Sequence, residues 1–131
     1  MTEPRHARAA TDPEAADPVL RDRLWAIPFD SVWQAAYRLA NGGLRGWKIA
    51  SADDHEGFIE ATVQGLGSWV HDVRIEIGLD ADGQTYARAV ISARAAGTDL
   101  GRARRRLRRF LKALDRAVAR MPRPGLAGRD A

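Results

Sequence analysis

Between Leu100 and Met121 apolar residues recur at Leu100, Ala103, Leu107, Phe110, Leu114, Ala117 and Met121, and Leu111 and Val118 broaden the row. This spacing follows the 3.6-residue turn of an α-helix and makes a stripe wide enough to lie on a globular core. The other side is a run of cations: Arg102, Arg104, Arg105, Arg106, Arg108, Arg109, Lys112, Arg116 and Arg120. A helix built this way must bury its stripe against another layer, so the rest of the chain has to supply a matching apolar surface. Asp99-Leu100-Gly101 marks its start, with Asp99 after Thr98 as the expected N-cap. Arg102, Arg104 and Arg105 in the first turns oppose the helix dipole, so helix stability does not explain them.

Four strand-like runs supply the surface. Trp47 to Ala52 leads through the turn Asp53-Asp54-His55-Glu56-Gly57 to Phe58 to Gln64. Gly65-Leu66-Gly67-Ser68 links to Trp69 to Leu79, and Asp80-Ala81-Asp82-Gly83 makes a hairpin to Thr85 to Arg94. Alternation sorts their faces: Val73, Ile75, Ile77 and Leu79 share one side, while Asp72, Arg74 and Glu76 share the other. Ile59, Ala61 and Val63 belong with the first group, as do Ala87, Ala89, Ile91 and Ala93, whose small size lets a helix approach closely. Upstream, Val32, Trp33, Ala36, Tyr37, Leu39 and Ala40 form a helix with Asp30 or Ser31 as N-cap, stopped by Asn41-Gly42-Gly43. The expected fold is an α+β two-layer sandwich: a four-stranded antiparallel meander with N- and C-terminal helices on one face, in the order α-β-β-β-β-α.

Residues 1–24 contain Pro4, Pro13 and Pro18 among Ala, Asp, Glu and Arg without an apolar period, and read as a mobile tail. Residues 25–121 form the expected single domain and residues 122–131 a flexible tail. At 131 residues, one domain buries roughly two thirds of its unfolded surface. The absence of cysteine excludes disulfides, thiolate metal sites and a cysteine nucleophile. The first residues lead into no apolar run, and nowhere do 18 apolar residues follow one another, so a cytoplasmic protein is expected. The net charge of +4 hides an asymmetry. Residues 1–24 carry four basic and five acidic groups, residues 25–99 six and ten, and residues 100–131 eleven and two. One basic end suits nucleic acid, an anionic membrane or an acidic partner. Nearly all the cations are Arg, which composition drift in a GC-rich genome also produces.

Gly46-Trp47 opening the first strand, Ile59-Glu60-Ala61-Thr62 in the second, Asp72-Val73 in the third, then Arg94, Asp99-Leu100-Gly101 and Arg106 carry a family resemblance. From Trp33 to Leu114 the chain resembles the bacterial domain of unknown function 1499 family. Ala93, Ala103 and His71 depart from it, standing where that family usually has Ser, Asn and a second Asp. Since the family has no assigned function, the resemblance implies the fold and adds almost nothing to the chemistry.

Enzyme motifs are missing. Gly65-Leu66-Gly67 lacks the third glycine of a dinucleotide fingerprint, and no phosphate-binding P-loop, Gly-x-Ser-x-Gly or His-Glu-x-x-His occurs. Asp53, Asp54, His55 and Glu56 hold metal-ligand types, but a tight turn points them apart and prefers Asp and Gly for its own geometry. His71 falls by parity on the helix-covered side, as a hydrogen-bonded core histidine; with His55 it is the residue an enzyme would use. Trp33, Tyr37, Trp47 and Trp69 either line a pocket between sheet and helix or form core. The expectation is therefore a binding module, not an enzyme, with no metal and no cofactor. Its first expected surface is the outer sheet face, where a protein or small ligand would meet Asp72, Arg74, Arg88, Arg94 and Asp99. Its second is the basic helix, where nucleic acid or anionic lipid would meet Arg104, Arg105, Arg108, Arg109 and Lys112.

Overall fold

The computed structural model describes residues 6–65, 70–96 and 101–121. Its strands are β1 His6–Ala10, β2 Arg23–Trp25, β3 Trp47–Asp53, β4 Phe58–Gln64, β5 Val70–Leu79 and β6 Thr85–Ala96. Its helices are α1 Phe29–Arg38 and α2 Arg102–Ala119. Neighbouring strands run antiparallel in the order β1-β6-β5-β4-β3, and β2 also pairs with β6, beside β1. The class is the expected α+β, with two strands more than the four expected among the described residues. β1 and all of β2 but Trp25 come from the stretch read as a mobile tail, of which residues 6–24 are built into the fold. β1 carries no branched apolar residue, so its own sequence gives it little strand preference. It is long-range pairing, Arg8 with Ser92 and Ala10 with Val90, that makes it a strand. Between β1 and β2 a 3-10 turn at Pro18–Leu20 is capped by Asp17, whose carboxylate accepts from the Val19 N–H at 3.0 Å.

α1 starts two or three residues earlier than expected. Pro28 stands at its N-cap and its carbonyl accepts from Ser31 and Val32, so Asp30 lies in the first turn and caps nothing. The ring of Phe29 stacks on Trp33, 5.7 Å apart, which draws that residue into the helix. The expected stop is where it should be: Gly42 adopts φ 97° and the Leu44 N–H closes on the Leu39 carbonyl. α2 begins at Arg102 with Gly101 before it in the left-handed conformation, φ 79°. Asp99, the expected cap, lies outside the described residues, as do Trp69 and residues 122–131.

Both helices lie on one face of the sheet. Leu107, Phe110, Leu111 and Leu114 are fully buried with Val73, Ile75 and Ile77 in one cluster that also takes in Val32 and Ala36 of α1. Trp47 joins it, stacked on Phe110 at 5.3 Å between centroids. It is core, as is most of Trp33, whereas Tyr37 is exposed. Ala87, Ala89 and Ala93 are buried under the helices as their size required. No helix among the described residues is long and apolar enough to cross a membrane.

Candidate functional site

Two surfaces carry the residues singled out in the sequence. The first is the outer face of the sheet. The hairpin register sets Asp72 opposite Ser92, so Arg94 reaches it diagonally and donates to both carboxylate oxygens, at 2.7 and 3.3 Å. This bond holds the Arg94 guanidinium more firmly in its charged form than usual, its hydrogen bonds to Asp72 outweighing the Coulomb attraction. Arg74 lies over the Phe58 ring, 4.1 Å from its centroid, and donates to Glu60 at 3.3 Å. Arg88 lies over Tyr86 and contacts Asp22 at 3.3 Å and Glu76 at 4.0 Å. Tyr86 donates its hydroxyl to Glu76 at 2.6 Å, and that bond, with burial, pushes the phenol above its usual 10.0. Four of the five expected contacts, Asp72, Arg74, Arg88 and Arg94, therefore share one face; the fifth, Asp99, lies outside the described residues. Two adjoining hollows of about 460 and 470 Å³ open there, sharing Arg8, Arg74 and Val90. Sequence reasoning missed Arg8 and Asp22 because both lie in the segment read as tail.

The second surface is α2. Its buried stripe leaves Arg105, Arg109, Lys112 and Arg116, spaced i, i+4, i+7 and i+11, on the opposite side. At 1.5 Å per residue the row runs about 16 Å. Arg109, Lys112 and Arg116 have no carboxylate at ion-pair distance among the described residues. The expected basic set thus divides. Arg104 and Arg108 belong to another flank, where Asp17 sits between them at 3.6 and 3.5 Å. The Val19 N–H holds the Asp17 carboxyl below its ordinary 3.8 against the opposing effect of burial, with Arg108 and Arg104 adding to the lowering. Next to it Arg23 grips Asp115 through two bonds, 2.8 and 3.1 Å, fastening the N-terminal segment to the helix. Asp17 before Pro18 is a cap-and-first-turn pair legible in the sequence. Arg116 was outside the expected set and completes the row.

On the remaining flank of α2, Arg106 turns inward. It donates to the Val63 carbonyl at 3.3 Å and to Nδ1 of His71, which is fully buried. Arginine has only donors, so Nδ1 presents its lone pair and the ring hydrogen sits on Nε2. His71 is a hydrogen-bonded core histidine on the helix-covered face. At the opposite end of the sheet Asp53 accepts from the backbone N–H groups of His55 and Glu56, a turn-building role for the densest run of metal-ligand types. A scan against protein-family models finds no match along this chain, and a search of curated proteins finds none either.

Proposed function

We propose that this protein is a binding module that docks on the phosphate backbone of nucleic acid through Arg105, Arg109, Lys112 and Arg116. The observation that supports this reading is the row itself. Like charges three and four residues apart destabilise a helix, and three of these four have no carboxylate beside them among the described residues. Two hollows of about 280 and 560 Å³ lie along the helix and share Arg105 and Arg109. Guanidinium forks match phosphate oxygens in pairs, as they do carboxylates, and a row of about 16 Å suits a chain of successive phosphates. A lipid surface fits less well. Among the described residues the apolar side of α2 packs into the core, and the exposed large apolar residues Leu24, Tyr37 and Leu79 lie on other elements.

Fluorescence anisotropy of a labelled single-stranded oligonucleotide tests this. Four phosphate contacts give log K a slope of roughly −3 against log salt. Arg109→Glu with Lys112→Glu, folded by circular dichroism, is expected to abolish binding. Binding to anionic vesicles but not to the oligonucleotide would move the function to lipid, and binding to neither would refute it.

The outer sheet face supports a second reading, as a surface for a protein or small ligand, because its two hollows join over an apolar floor at Val90 with Arg8 on the rim. It ranks lower because Asp72, Glu60, Glu76 and Asp22 already answer Arg74, Arg88 and Arg94. A Val90→Asp variant that keeps its melting temperature and every interaction of the natural chain would remove it.

A further inference from the structure

The smaller of the two hollows along α2 differs in kind from the row. Arg102, Arg105, Arg106 and Arg109 line it, and Gly65 at the end of β4 forms its wall. Arg106 is not a loose surface side chain: the Val63 carbonyl and Nδ1 of His71 hold it from behind. Gly65 leaves space beside it, where a β-carbon would stand 2.8 Å from Arg106 Nη2. The first turn of α2 adds the positive end of its dipole beside the same hollow. At about 280 Å³ it lies at the small end of ligand sites, and it is walled by the sheet end on one side. A passing phosphodiester carries a single negative charge and offers the four guanidinium groups only two free oxygens. A phosphate monoester offers three, ends a chain, and carries the second negative charge that several guanidinium groups reward.

We propose that this hollow is a subsite for a terminal phosphate monoester, such as the 5′-phosphate of a strand whose backbone lies along Arg109, Lys112 and Arg116; it rests on the nucleic-acid reading above. The test compares two otherwise identical single-stranded oligonucleotides, 5′-phosphorylated and 5′-hydroxyl, by anisotropy, with inorganic pyrophosphate in a thermal-shift assay as the strand-free probe. The phosphorylated strand is expected to bind roughly tenfold tighter, the gain of one charge-assisted contact set. Arg102→Gln, which touches the hollow and not the row, is expected to erase that preference while the hydroxyl strand keeps its affinity. Lys112→Gln with Arg116→Gln is expected to weaken both strands and keep the preference. Equal, salt-sensitive binding of the two strands would overturn the subsite and leave the row standing. No binding of either strand, with pyrophosphate raising the melting temperature of the natural chain and not of Arg102→Gln, would overturn the row and support the subsite. No response to any of the three probes would overturn both.

Discussion

Replacing Arg109 by glutamine is expected to stabilise the protein. Arg109 is exposed and stands four residues after Arg105, three after Arg106 and three before Lys112. Each such like-charged pair costs a helix about 0.2–0.5 kcal/mol, so the three together cost about 0.6–1.5 kcal/mol at low ionic strength. Solvent screening of exposed charges trims this to about 0.5–1 kcal/mol. Nothing offsets the gain, because no carboxylate pairs with Arg109 among the described residues and glutamine has nearly the same helix propensity as arginine. For a chain of this size the expected rise in melting temperature is about 2–5 °C. The assay is scanning calorimetry at about 10 mM and about 500 mM salt, where the screening length falls from about 30 Å to about 4 Å. The gain should vanish at the higher salt, and oligonucleotide affinity should fall in the same variant. A lower melting temperature at low salt would mean that Arg109 serves the fold. A gain indifferent to salt would mean that charge repulsion is not its source. Either result would remove the argument that this row is maintained against stability.

On the other side of the same helix, Phe110→Ala is expected to cost about 3–5 kcal/mol in denaturant unfolding, since it empties the largest fully buried side chain among the described residues and unstacks Trp47. Asp17→Asn is expected to act through pH. The folded carboxyl ionises below its ordinary 3.8, so its contribution is present above that value and lost as pH falls through the folded one. Urea midpoints of the variant should therefore decline less than those of the natural chain between about pH 5 and pH 3. Gly57→Ala is expected to destabilise by about 2 kcal/mol or more, because φ is +80° there and the added carbon would meet the Ile77 carbonyl oxygen at 2.1 Å.

The parts of this fold that were legible in the sequence are those whose pattern is long and local. The seven-residue recurrence in α2, the alternation through Val73, Ile75 and Ile77 and the Asp80–Gly83 turn each state a face as well as an element, and together they set the Asp72–Arg94 register. β1 and β2 were not legible, because His-Ala-Arg-Ala-Ala and Arg-Leu-Trp have no periodicity of their own and become strands only when β6 offers an edge. That omission carried into the site. Without the segment between them, Asp17 and Arg23 had no reason to lie against α2, so Arg104 and Arg108 read as equals of Arg105 and Arg109. Arg106 was legible as one more cation of the run; its inward turn depends on His71 and Val63, 35 and 43 residues away.

The two borders of the sheet are finished differently. β6 is sealed along its length by two short pieces of the same chain, while β3 ends the sheet on the other side with Lys48 and a shift of register between Ile49 and Ser51. A lysine and a bulge are poor templates for another molecule's backbone, and so are β1 and β2, edge strands of only five and three residues. Copies of this protein therefore gain little by zipping edge to edge, and crowding them together need not seed a fibre.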